Sequence, residues 1–139
     1  MSTERIAEIV GRFRDAIDEI VEAGGAPYHM LGFPRACCGS TSEMLGEYLN
    51  SLGIGVFQYV RADRRGASHA WVEHEGIVID ITSDQFQGRP RVYVGEADAW
   101  YKKWKVDAKH LAEHCPAAIV SSSEHEFYEK IMTLMTRTN

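Results

Sequence analysis

Long apolar runs are missing from this chain. Nowhere do about 18 consecutive apolar residues occur, so no transmembrane helix is expected. Glu4 and Glu8 stand where a secretory leader would carry a basic start and an apolar core, which points to a cytoplasmic protein. Cysteine is scarce. Cys37, Cys38 and Cys115 make an odd set of 3, which argues against a disulfide framework and for free thiols in a reducing compartment. Bridging the adjacent pair would need a strained ring. Positive charge is in deficit, with 15 Lys and Arg against 20 Asp and Glu and a formal net charge of −5, so neither a nucleic acid nor an anionic membrane is the expected partner. Arg61, Arg64 and Arg65 form one small basic cluster, but Asp63 sits among them and a solvated loop accounts for it. No repeat, low-complexity tract or linker divides the 139 residues, which reads as one domain, 1–139, long enough for a sizeable core.

What is present is an α+β pattern. Ile6, Ile9, Val10, Phe13, Ile17, Ile20 and Val21 recur at helical spacing, predicting a helix over residues 3–22 capped by Ser2 or Thr3 and stopped at Gly24 and Gly25. A Pro- and Gly-punctuated loop carrying Tyr28 and His29 follows. Met44, Leu45, Tyr48, Leu49 and Leu52 mark a second, buried helix, with Ser40 and Glu43 as a capping box and Thr41 and Ser42 as alternative caps. Residues 54–61 alternate as a strand, and Arg61 to Ala67 reads as a bulky hairpin connection. After a loop at 83–90, residues 91–94 read as a short strand closed by Gly95. An interrupted helical stretch from Asp98 carries Trp100, Tyr101, Trp104 and Leu111. Ser121, Ser122 and Ser123 cap a last helix whose buried stripe is Phe127, Ile131, Leu134 and Met135. The expected fold is a small antiparallel sheet packed on the helix that follows Cys38, with flanking N- and C-terminal helices.

The chemistry gathers around residues 68–82. His69, Trp71 and Glu73 alternate with Ala70 and Val72, and β-branched residues resume at Ile77 after Gly76, which is a hairpin signal. A two-residue turn at Glu75-Gly76 puts His74 opposite Ile77 and sets His69 diagonal to Asp80 on one face, roughly 7–8 Å apart between Cα atoms and within reach of a carboxylate–imidazole hydrogen bond. A three-residue turn would send Asp80 to the other face. Cys38 stands at the start of the second helix, where unpaired N–H groups and the helix dipole favour a thiolate and can donate to an oxyanion. Cys38, His69 and Asp80 thus satisfy the logic of nucleophile, base and orienting carboxylate. Cys37 is an alternative nucleophile and Asp84 an alternative orienter.

The order of a cysteine at a helix start, a histidine on a strand and an aspartate on the next strand resembles the transglutaminase-like branch of the papain-like cysteine-hydrolase superfamily. The matching pieces are Cys38-Gly39-Ser40-Thr41-Ser42 running into Leu45-Gly46-Glu47-Tyr48-Leu49, then His69-Ala70-Trp71-Val72-Glu73, then Ile79-Asp80-Ile81-Thr82. The His69–Glu73 stretch is also similar to the strand found in lasso-peptide leader peptidases. The resemblance spans roughly residues 34–86 and implies a papain-like core in which Cys38 is nucleophile, His69 base and Asp80 orienter. It implies peptide or amide hydrolysis, or acyl transfer to an amine, with no cofactor; some members have lost the triad and only bind. No glutamine precedes Cys38, so a papain-type side-chain oxyanion donor is missing. The backbone N–H of Cys38 is the first donor, and Gln58 or Tyr59 is a candidate for the second. Trp71 is a candidate wall of the substrate cleft.

The expected partner is a peptide or small amide substrate, or one delivered by another protein. The non-enzymatic alternative is a peptide- or ligand-binding module using the same cleft. A third reading is a metal site: His110 and His114 fall four apart on an expected helix beside Cys115, with His125 or His74 in reserve. No Cys-x-x-Cys or His-Glu-x-x-His motif supports it, and a solvated helix end accounts for the histidines, so no metal is expected.

Overall fold

The computed structural model describes residues 2–112 and 122–137 of the chain. The apolar spacing at the start yields helix α1, Thr3–Glu22, with Ser2 Oγ accepting from the Arg5 N–H at 3.1 Å as its cap. Its buried stripe includes Ile6, Val10, Phe13 and Ile17. Helix α2 is Cys38–Ser51, and helix α4, Ser122–Arg137, packs along α1. Ser121, expected among the caps of α4, lies outside the described residues.

The strands are β1 (Gln58–Arg64), β2 (Ala67–His74), β3 (Ile77–Asp80), β4 (Tyr93–Glu96) and β5 (Lys105–Leu111). They form a five-stranded antiparallel sheet in the order β4-β3-β2-β1-β5. The β2–β3 register pairs His74 with Ile77 and Val72 with Ile79, as the two-residue turn requires. Glu75 and Gly76 both take positive φ, 49° and 79°, the turn whose twist matches a hairpin. β1 and β2 join equally tightly, through Arg65 and Gly66 at φ 50° and 82° between the paired Arg64 and Ala67. The bulky connection expected over 61–67 is therefore corrected to a two-residue turn. The polar residues Asp63 and Arg64 hide the end of the strand from a hydrophobicity pattern.

The sheet separates two apolar layers. One face, through Val72 and Ile79, joins α1, α2 and α4 in the main core with Phe13, Met44, Leu45, Leu49, Phe57 and Phe127. The other face carries Val60, Ala62, Trp71 and Val78 under Tyr101 and Trp104. The helical stretch expected after Asp98 is a single turn, α3 (Ala99–Lys102), capped by Asp98, and then β5. β5 is an edge strand exposed along most of its length, so it carries no apolar alternation to read, and its backbone pairing with β1 decides its conformation. The architecture is α+β, with four α-helices among the described residues.

Candidate active site

Cys38 opens α2, upstream of the expected Ser40–Glu43 capping box, which does not form. The cap residue is Cys37, and it supplies no side-chain hydrogen bond to the helix. The first intrahelical bond runs from the Thr41 N–H to the Cys37 carbonyl at 2.9 Å. The N–H groups of Cys38, Gly39 and Ser40 thus have no intrahelical acceptor, the condition that favours an anion at a helix start. The half-buried thiol packs beside Tyr59, Ala70 and Ala112.

β3 pairs with β2 over Val72–His74, so its side of β2 is left without a strand at the earlier residues. Cys38 meets the histidine in this region. The His69 imidazole, the backbone N–H of Ala70 and the Gln85 amide surround its thiol closely enough to favour the thiolate. Fully buried, His69 places Nε2 at 2.7 Å from Asp80 Oδ2, which leaves Nδ1 towards Gln85 Nε2 at 3.3 Å. Asp80 is held on every side. Tyr101 Oη donates to Oδ2 at 2.7 Å, and the Thr82 N–H donates to Oδ1 at 3.0 Å. A carboxylate with these donors stays fixed and orients the ring.

The electrostatics follow the same contacts. Burial pushes the Cys38 thiol up, but the hydrogen bond and charge of His69, with smaller help from Ala70 and Gln85, bring it below its ordinary value. Burial pulls the His69 imidazole down, and the bonds to Asp80 and Cys38 outweigh it and hold it at about 9. Cys37 behaves in the opposite way. Its buried thiol donates to the Arg35 carbonyl at 3.1 Å, and burial followed by the neighbouring Cys38 raises it to about 11. Of the two adjacent thiols, only Cys38 has the environment of a thiolate.

The remaining candidates divide. Trp71 lies under His69, ring centroids 5.6 Å apart, with its indole N–H donating to Glu73 Oε2 at 2.9 Å; it is 2% exposed and belongs to the floor. Tyr59 stands beside the cysteine turn, its Oη 3.6 Å from where a Cβ on Gly39 would lie. Gln58 shares the face of His69 but pairs with Glu73, whereas Ala62 pairs with His69. At about 3.3 Å per residue that sets Gln58 roughly 13 Å away along the sheet. Asp84 takes no part in orienting His69, because both its oxygens accept from Arg14 at 2.9 Å. His110 is on β5, stacked on Tyr59 with centroids 5.0 Å apart, which removes the helical spacing behind the metal reading. His114 and Cys115 lie outside the described residues, and among those described no three His, Cys, Asp or Glu converge as a metal site.

Two residues of the candidate site are not evident from the sequence pattern. Gln85 ends a short 3-10 turn, Ser83–Gln85, and Tyr101 sits on α3, far along the chain from Asp80. The only available hint for Gln85 is a lone polar residue soon after the aspartate strand. Together these groups can ionise a thiol, hold a proton on an imidazole and present N–H donors beside both. No protein-family model, curated protein or solved structure matches this chain.

Proposed function

We propose that the chain is a thiol-dependent hydrolase or acyltransferase acting on an amide or peptide carbonyl, built on a papain-like, transglutaminase-like core. The observation that carries the reading is the buried His69–Asp80 pair, with 2.7 Å between Nε2 and Oδ2, set beside the half-buried Cys38 thiol that its charge brings below the ordinary value. In this reading the Cys38 thiolate attacks the carbonyl carbon and forms the C–S bond. The backbone N–H of Cys38 and the Gln85 side-chain amide donate to the resulting oxyanion. His69 then gives its proton to the leaving amine as the C–N bond breaks, leaving a thioester. Water or an amine attacks next, loses its proton to His69, and expels the thiolate. Asp80 keeps the ring oriented and stabilises the imidazolium throughout, while Tyr101 and Thr82 hold Asp80.

The test is the rate of iodoacetamide alkylation against pH, with labelled sites located by mass spectrometry. Thiolate, not thiol, reacts, so the wild-type rate at Cys38 rises with pH through an inflection below the free-thiol value of about 8.5. His69→Ala removes the largest lowering contacts and leaves burial with the smaller help of Ala70 and Gln85, so the inflection moves upward and the rate at pH 7 falls by about tenfold or more. Where an amine leaves, turnover also fails as pH rises through about 9, because His69 then loses the proton it must donate. Slow, uniform labelling of all 3 cysteines would overturn the reading in favour of a binding module.

A further inference from the structure

Beside His69 lies a cleft of about 270 Å³ lined by Arg64, Arg65, Ala67, Phe86, Trp100 and Trp104. Three of those side chains also surround the imidazole, with ring centroids from His69 of 5.0 Å for Phe86, 5.9 Å for Trp100 and 5.8 Å for Trp104. The cleft therefore shares its walls with the reactive centre. It is smaller than the roughly 300–1,000 Å³ that encloses a whole small ligand, so it suits one side chain of a longer molecule. Aromatic walls favour an aromatic or large apolar group there.

The mouth of the cleft is cationic. Arg64 and Arg65 also line an adjoining groove of about 710 Å³ with Lys103, Lys105 and Asp63. Asp63, the one carboxylate on the groove, lies 3.9 Å from Arg61, which also reaches Asp107 on β5 at 3.6 Å. The four cations Arg64, Arg65, Lys103 and Lys105 form no ion pair among the described residues, in a chain whose formal net charge is −5. Four cations against one carboxylate, from a hairpin turn and from the segment around and after α3, leave the groove net positive and able to attract an anion. The sequence shows only the Arg61–Arg65 cluster; the fold brings Lys103 and Lys105 to it.

We infer that the substrate is an acidic peptide, with an aromatic or large apolar side chain seated in the cleft beside His69 and flanking carboxylates held by Arg64, Arg65, Lys103 and Lys105. This inference rests on the acyl-transfer reading for the identity of the neighbouring site, but its binding arm does not need the chemistry.

The experiment is fluorescence anisotropy on the full chain carrying Cys38→Ala, with fluorescein-labelled peptides built around one phenylalanine. The flanks are glutamates, glutamines or lysines. The glutamate peptide binds about tenfold or more tightly than the lysine peptide, and the preference shrinks with added salt. Replacing its phenylalanine by alanine weakens it. Arg64→Glu, partly exposed, with the exposed Lys103→Glu, checked by circular dichroism, abolishes the preference, whereas Lys130→Glu on α4 leaves it intact. Equal binding of the three peptides, an equal loss in Lys130→Glu, or tighter binding of a fluorescein-labelled oligonucleotide of matching charge overturns the proposal. Since binding is scored on a chain lacking the thiol, its failure is distinct from uniform alkylation in the wild type, which would defeat the acyl-transfer reading alone.

Discussion

A single amide decides how an oxyanion would be held beside Cys38. Gln85 Nε2 donates to the Thr82 carbonyl at 3.1 Å and lies 3.3 Å from His69 Nδ1, so its carboxamide is aimed from the loop after β3 at the space next to the thiol. It contributes the last and smallest of the contacts that lower the Cys38 thiol. Thiol ionisation therefore depends on it little, whereas in the proposed acyl-transfer reading a tetrahedral intermediate would depend on it strongly. Two reagents separate these roles. Iodoacetamide reacts by displacement at carbon and builds no oxyanion; p-nitrophenyl acetate must build one to acylate sulfur. Gln85→Ala should slow acylation by about 10²-fold, within the usual cost of losing one oxyanion donor, and leave alkylation within a small factor of wild type. Equal slowing of both would assign Gln85 to holding the ring alone.

At the scale of elements, α2 must lie very close to the end of β5 for Cys38 to reach the sheet. A Cβ on Gly46 would run into Ala112 Cβ and come within 3.6 Å of Val72 Cγ2. Asn50 fastens the far end of the helix. Its Oδ1 accepts from the Phe57 N–H at 2.7 Å, and its Nδ2 donates to the carbonyls of Phe57 at 3.1 Å and Ala112 at 3.0 Å. Gly46→Ala would gain about 1 kcal/mol of helix propensity, but the overpacking at a contact that tight costs about 1–3 kcal/mol. The expected outcome is a lower midpoint in a thermal melt, recovered when Ala112→Gly is added. A raised midpoint in the single variant would mean that α2 is free to move off the sheet.

Across the whole molecule, Arg14 connects the helical layer to the loop that carries the site. Buried on α1, it donates to both oxygens of Asp84 at 2.9 Å, to the Ile81 carbonyl at 2.7 Å and to Asp18 at 3.1 Å. These contacts fix the segment between Asp80 and Gln85. Arg14→Ala leaves the partly buried Asp84 and the Ile81 carbonyl without their donor, a loss of about 3 kcal/mol by analogy with breaking a buried pair. A denaturant titration should show that loss, and the Cys38 acylation rate should fall with it even under conditions where the chain stays folded. Lost stability with unchanged acylation would show that the loop holds its place without α1.

Helix α1 is legible to the residue from the amino-acid pattern, as are the β2–β3 register and the placing of His69 and Asp80 on one face. Each is a local matter: a period of 3.6, a cap, or a glycine that permits positive φ at a fixed position. The pattern also showed Cys38 near a helix start, although the strongest capping pattern, at Ser40 and Glu43, pointed downstream of where the helix begins. The rest depends on contacts distant in the chain. β5 is a strand because β1 offers it backbone partners, not because of its own side chains. Cys37 and Cys38, chemically identical and adjacent, are separated by what surrounds each one. Gln85, Tyr101 and the Lys103–Lys105 half of the cationic rim join the site across gaps in the chain that no periodicity spans. Their positions follow from long-range packing, which a linear pattern does not encode.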